Sequence, residues 1–428
     1  MNRTVVIVLL LATRLSAFAE QTKHTRLNLP DARARAIANH PRISAAELKA
    51  LATQSVVSQA RAPFFPFVNA NFTAVESLTE NTRIAAGGMN NPVIFDRVAV
   101  GIAINQLVTD FGRTFHQLAG SKLRSRAEAE ASRGARNLLL LQVSTNFYTV
   151  LQQQEIVRVA RKTVATRKAV LEQVSGLALN QLRSELDVSF ASVNYQDAEL
   201  LLTKSENDLK SAQLGMVAML GLRDDWNYEL VEEPGSPEEM APIETMISCA
   251  FDHRPELARL RLEVDAARHT ANAEKALSMP TVTAFASVGN IPVRDERLPQ
   301  NYAAAGVNVS VPVFAGGLNS ARRAEAEIKV RVTESHLRDE ENQIIRDLKI
   351  TYHNVTFSKK KLALQEDLLK HAQNSASLAQ SRYELGSSSI VELGQAQLNQ
   401  TAAEIAFAVS RYDYLLQRAI LDFHRGEP

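Results

Sequence analysis

The sequence predicts a mainly α-helical protein with a smaller β part, built as two homologous halves of a helix, a β-hairpin and a long helical hairpin. Three observations carry this. No proline occurs between Pro312 and Pro428, so the backbone permits continuous helix across that span. Within it Leu348, Val355, Leu362, Leu369, Ala376 and Tyr383 recur every seven residues, which marks a helix packed lengthwise on others. The pattern also occurs twice. Val143, Val150, Val157, Val164, Leu171 and Ala178 lie upstream of those six at one constant spacing, the spacing that also separates Gly112 from Gly317.

The N-terminal segment reads as an export signal over residues 1–19. Arg3 precedes an apolar run from Thr4 to Ala12, and Ala17-Phe18-Ala19 forms a small-residue cleavage site before Glu20. That apolar run is too short to span a membrane. Cys249 is the single cysteine, which gives neither a disulfide framework nor a lipid-anchor cysteine at the cleavage site.

The first repeat is read over residues 20–233. A helix begins near Leu29 with Asp31 in its first turn and continues past Pro41 to Arg61; from Pro63 to Pro66 the period changes from helical to two. Val68, Ala70, Phe72 and Ala74 alternate with polar Asn69, Asn71 and Thr73, and Val98, Val100, Ile102 and Ile104 form a second such run. Gly87 to Pro92 supplies turn material, which predicts a β-hairpin at about 66–106. A long helical hairpin follows at about 112–222.

Residues 234–242 form an acidic, proline-rich linker, and 243–428 the second repeat. Its hairpin is expected at about 280–313. Val282, Ala284, Ala286 and Val288 make one strand, Gly289 to Pro292 and a charged loop the connection, and Val307, Val309, Val311 and Val313 the other strand. Each run approaches the ~9 to 11 residues a tilted strand needs to cross a bilayer. Four strands cannot close a barrel, so their edges must pair with other copies of the chain. The last long hairpin is read at about 317–424. Its first arm, Gly317 to Leu385, would be roughly 100 Å long at helical rise. Its second arm carries Leu398, Ala402, Ile405, Val409, Tyr412, Leu416, Ala419 and Phe423 in steps of four and three.

Charge and motifs exclude several function classes. With 48 basic and 47 acidic residues the net charge is +1, which offers no electrostatic case for nucleic acid. After the signal no apolar stretch is long enough for a membrane helix. There is no phosphate-binding Gly-x-x-x-x-Gly-Lys, no His-Glu-x-x-His and no Gly-x-Ser-x-Gly, and the nine histidines form no ligand-spaced cluster. No enzyme, cofactor or metal is therefore expected. A passive conduit whose energy comes from a partner fits these features. An exported, elongated coiled-coil scaffold or adaptor without a pore is the alternative, and it leaves the duplicated strands unexplained.

The chain resembles the TolC-like outer-membrane efflux family in the repeated Asn39-His40-Pro41 and His253-Arg254-Pro255 turns. It does so again in Gln106 to Arg113 and Val311 to Gly317 at the strand-to-helix junctions, and in Arg382 to Gln397 at the helix tip. The resemblance implies a homotrimer whose twelve strands form one barrel in outer-membrane lipid, continuous with a periplasmic helical tunnel. It also implies a periplasmic adaptor (membrane fusion protein) and an inner-membrane pump as partners. Tyr383 matches the family's gate tyrosine and Glu392 an acidic entrance position; Ser388 and Gln395 stand where some members carry an arginine and an aspartate. Glu185 and Asp187 lie near the corresponding first-half turn. Gly386, Ser387, Ser388 and Ser389 would form the adaptor-docking tip, and Gly112 and Gly317 the strand-to-helix junctions.

Overall fold

A computed structural model describes residues 25–76, 96–223, 226–232, 240–296 and 298–427. The expected signal segment, the Gly87 to Pro92 turn and most of the linker lie outside these residues. In chain order the elements are β1 (Thr25–Leu27), α1 (Leu29–Asn39), α2 (Pro41–Arg61), β2 (Phe67–Val75), β3 (Arg97–Thr109), α3 (Arg113–Leu179) and α4 (Glu185–Met219). They continue with β4 (Tyr228–Leu230), α5 (Ile243–His253), α6 (Pro255–Lys275), β5 (Thr281–Arg294), β6 (Asn301–Ser310), α7 (Leu318–Glu384) and α8 (Ile390–Arg425). The two longest helices, α3 and α7, have 67 residues each. No described helix is long and apolar enough to cross a membrane.

The described residues divide into two compact units, one within 1–45, 133–254 and 343–428, the other within 46–132 and 255–342. In the first unit, Leu27, Ala32, Ala36, Val143, Phe147, Val150, Met216, Leu220 and Tyr412 form the main core. The parallel pair β1–β4, joined from Thr25–Tyr228 to Leu27–Leu230, was not anticipated because three-residue strands leave no periodicity to read. Burying Leu27 and Leu230 holds that pair on the helices. A second core cluster gathers Met246, Leu348, Val355 and Leu421.

The heptad positions of α7 behave as their spacing requires: Leu348, Val355, Ala376 and Tyr383 are buried, and Leu362 and Leu369 half-buried. The seam expected on α8 is exposed at its start within the single chain, at Leu398 and Ala402. Thr401 and Glu404 face α3 instead, where Thr401 Oγ1 lies 3.3 Å from Thr163 Oγ1 and Lys162 Nζ donates to Glu404 Oε1 at 3.0 Å.

The second unit holds one four-stranded antiparallel sheet in the order β2-β3-β5-β6. Register places Val68 opposite Ile104, Phe72 opposite Val100, Ile102 opposite Val288, and Ala284 opposite Val307. Because alternate residues share a face, these side chains form one apolar surface across all four strands. Phe72 is 71 % exposed and Val307 65 %. On the opposite face Tyr302 lies across Gly101 and Gly289, and Phe285 across Gly306, aromatic rings occupying the space that missing side chains leave. β2 and β6 are the edge strands among the described residues.

Two expectations for the second hairpin are corrected. Gly289 to Pro292 is not its turn but lies inside β5, which continues to Arg294 and pairs there with Arg97 of β3. Val311 and Val313 lie beyond β6, whose last partner is Thr281, the first residue of β5. Pro280 precedes that residue and Pro312 follows the end of β6, and neither has an N–H to extend the ladder.

Candidate functional site: the helix tips

The two tips are built by the same local rules. At the second-half tip Gly386 has φ +69, and α7 closes with Gly386 N–H donating to Tyr383 O at 3.0 Å and Ser387 N–H to Arg382 O at 2.9 Å. This pair of bonds satisfies carbonyls a helix end leaves unpaired, and it needs a left-handed residue, for which glycine is best suited. The first-half tip repeats it with Gln181 at φ +58, its N–H on Ala178 O and the Leu182 N–H on Leu177 O, both 2.9 Å. Ser389 then caps α8 by accepting from Glu392 N–H at 3.2 Å, and Ser184 caps α4 by accepting from Asp187 N–H at 3.2 Å.

The expected entrance residues divide by this geometry. Asp187 carboxylate accepts from Ser184 N–H at 3.2 Å and completes a reciprocal cap. Glu392 occupies the matching position on α8 but turns to Arg382 at 3.2 Å. Both partners of that pair are about half exposed (57 % and 47 %), which places it among ion pairs worth under ~1 kcal/mol. Gln395 is exposed and donates to Asn399 Oδ1 at 3.0 Å. Glu392, Gln395 and Ser389 share one groove on the α7–α8 hairpin with His371, Arg382 and Asn399. Ser388 is half-buried in the turn, while Gly386, Ser387, Ser389 and Glu185 are exposed.

Tyr383 faces the other way. It is 2 % exposed and packs with Val170, Val174, Ala191, Ala379, Ile390 and Leu393. The Arg183 guanidinium, from the first-half tip, sits over its ring at 4.7 Å, so the two tips are tied through this tyrosine. Its hydroxyl is buried with no hydrogen-bond partner among the described residues. Burial pushes the Tyr383 phenol up, Arg183 pulls it back, and Asp187 adds to the rise.

Above the tips the structure adds residues that sequence reasoning passed over. Arg167 is buried and donates to the Asn194 carbonyl at 2.7 Å, and burial pulls its guanidinium pKa down. Gly394 allows α8 close to Asn194, because a Cβ there would lie 2.9 Å from the Asn194 amide nitrogen. The only signal for such contacts was the polar residues scattered on apolar faces, which does not name their partners. Elsewhere in the same unit Cys249, His253 and Glu427 come together. Cys249 and His253 are four residues apart, a pair the sequence analysis passed over, and Glu427 lies in a remote part of the sequence.

The strand-to-helix junctions are also paired. Phe111-Gly112 and Gly316-Gly317 each put two successive residues at positive φ before a long helix, at +53 and +95 in the first and +59 and +83 in the second. Asp110 further accepts from Thr114 N–H at 2.8 Å, a side-chain cap that the second junction, with Ala315, lacks.

Duplicated helical hairpins, matching tips and a four-stranded sheet with an apolar face form the context in which comparison with known proteins decides the family. The sequence profile described as Outer membrane efflux protein matches residues 32–222 and 246–426. The chain belongs to this family. Like its relatives, this efflux protein is an outer-membrane channel component with a long periplasmic portion. It is 21 % identical over 322 residues to the Outer membrane efflux protein BepC of Brucella suis biovar 1, covering 74 % of this chain and 69 % of that protein. It is 23 % identical over 438 residues to the Alkaline protease secretion protein AprF of Pseudomonas aeruginosa, covering 97 % and 86 % respectively. Among solved structures, the outer membrane protein VceC of Vibrio cholerae superposes with a TM-score of 0.81 at 16 % identity, over 93 % of this chain and 96 % of that one. The efflux protein thus has the channel-tunnel fold. Relatives that serve efflux and secretion favour a channel over a pore-free scaffold.

Proposed function

We propose that three copies of the chain assemble into a single pore, each contributing its four strands to a twelve-stranded barrel in outer-membrane lipid, and that the pore is a passive conduit for small molecules or polypeptides. The sheet carries this reading. Its apolar face is exposed across all four strands, a surface water disfavours and lipid accepts, and its edge strands β2 and β6 are available to pair with neighbouring copies. Export is directed by residues 1–19, and the repeats span 20–233 and 243–428 on either side of the linker. A periplasmic adaptor docks at the tip formed by Gly386 and the serines Ser387, Ser388 and Ser389, and an inner-membrane pump supplies the energy.

In this assembly the groove with Glu392 and Gln395 faces the entrance, Tyr383 backs it, and Ser388, Glu185 and Asp187 line its rim. Glu392 carboxylates from three copies attract cations into the constriction. Planar-bilayer recording of the detergent-extracted protein tests this. Discrete cation-favouring steps in the wild type, with weaker selectivity in Glu392→Gln, are the expected result. Unchanged selectivity would remove Glu392 from the entrance. A water-soluble monomer without conductance would overturn the pore.

A further inference from the structure

A group of metal-ligating side chains sits well away in sequence from the tips. Cys249 and His253 are one helical turn apart on α5, so their side chains share a face. The third member arrives from α8. That helix ends at Gly426, whose φ is +92; its N–H donates to Phe423 O and the Glu427 N–H to Asp422 O, both at 3.0 Å. This cap turns the chain against the end of α5. A Cβ on Gly426 would lie 3.1 Å from His253 Cβ, so glycine is what lets the two segments meet so closely.

The distances that result match a coordination polyhedron. Cys249 Sγ is 3.5 Å from His253 Nδ1 and 3.6 Å from Glu427 Oε1, and the three ligand atoms all lie within 4.8 Å of one another. A tetrahedral ion bound at ~2.3 Å by sulfur and ~2.0 to 2.2 Å by nitrogen and oxygen sets sulfur about 3.5 Å from each of the others. Two edges of the polyhedron are therefore already at length. The second Glu427 oxygen is taken by Arg425, which orients the carboxylate and leaves Oε1 toward the sulfur. A thiolate and a carboxylate together neutralise a divalent charge.

The first repeat provides an internal comparison. Gly221, at φ +70, likewise packs on the Asn39-His40 backbone. The residues there that correspond to Cys249, His253 and Glu427 are Arg35, Asn39 and Leu222, which do not form a ligand set. The junction is thus built in the first half without these three side chains, and their convergence in the second half is not a requirement of the fold.

We propose that Cys249 Sγ, His253 Nδ1 and Glu427 Oε1 bind one divalent cation of the zinc class, with water in the fourth position, tying the end of α8 to α5. On binding, the Cys249 thiol loses its proton to solvent. His253 coordinates as neutral imidazole with its N–H on Nε2, and Nδ1 exchanges its present neighbour, the Cys249 carbonyl oxygen at 3.0 Å, for the metal.

Cobalt is the probe, added to the full-length protein in detergent and followed by absorption, with zinc as competitor. The wild type is expected to take up one Co2+ per chain, with a thiolate-to-cobalt charge-transfer band that zinc abolishes. Cys249→Ser should lose that band. His253→Gln and Glu427→Gln should each weaken binding by more than the ~10- to 100-fold typical of an outer-shell loss. Zinc should also raise the unfolding midpoint of the wild type and leave that of Cys249→Ser unmoved. Absence of a thiolate band in the wild type, or equal uptake by all variants, would overturn the proposal. Should Cys249→Ser fail to fold, Glu427→Gln at an exposed position carries the same test.

Discussion

Replacing Tyr383 by phenylalanine should stabilise the protein. The ring is buried against Val174, Ala379, Ile390 and Leu393 and lies under Arg183, and phenylalanine keeps all of those contacts. What it removes is a hydroxyl that is buried with no hydrogen-bond partner among the described residues. An unsatisfied buried polar group costs roughly 1–3 kcal/mol, so Tyr383→Phe should gain about 1–2 kcal/mol once the small change in packing is allowed for. Tyr383→Ala deletes the ring as well and should lose about 3–5 kcal/mol. Urea unfolding of the detergent-solubilised protein, followed by far-ultraviolet circular dichroism at one fixed protein concentration, ranks the three. If Tyr383→Phe is less stable than the wild type by ~1 kcal/mol or more, the size of a made hydrogen bond, the hydroxyl is bonded in the assembled protein and the single-chain reasoning is refuted.

Three other expectations can be checked with the same material. Gln181→Gly should stabilise the first-half tip by about 1 kcal/mol, because a non-glycine residue in the left-handed region pays roughly 1–2 kcal/mol; an unfolding midpoint that falls would contradict it. Gly101→Ala should cost ~1–3 kcal/mol, since the new Cβ overlaps the Tyr302 hydroxyl and lies 2.9 Å from the Val288 carbonyl oxygen. Adding Tyr302→Phe should recover part of that loss but not all, read as the temperature at which the oligomer dissociates on a gel. His116 Nδ1 lies 3.0 Å from His269 Nδ1, and burial first, then the charge of His269, pull the His116 pKa below its ordinary 6.5. The unfolded chain then binds more protons, so stability should be full above about pH 6.5 and fall as the pH drops below it. His116→Gln should flatten that slope between pH 7.5 and 5.5, and an unchanged slope would assign the dependence to other groups.

Much of the helical scaffold was legible because its signals are local and repeated. The positions Leu348, Val355, Ala376 and Tyr383 are buried because seven-residue spacing keeps them on one helix face wherever the neighbours stand. The tips were legible for the same reason: Gly386 and the serines after it have the turn and cap chemistry of a helix stop and start. Less legible were features set by a partner's position. Leu398 and Ala402 fit the apolar stripe of α8, yet within the single chain they are exposed while Thr401 and Glu404 meet α3. Gly289 to Pro292 has turn composition, yet it became strand because β3 offers partners beyond it.

The sequence by itself determined the duplicated order of elements, the long uninterrupted helices and the period-two strands, since these follow from residue spacing, proline placement and the backbone preferences of glycine and serine. The tertiary structure decided which helix faces meet, that Asp187 caps a helix while its counterpart Glu392 pairs with Arg382, and that Tyr383 turns inward beneath Arg183. It also decided that Glu427 joins Cys249 and His253. Such pairings depend on side chains whose separation in sequence says nothing about their separation in space. Their geometry is set only when distant helices share one packed interior.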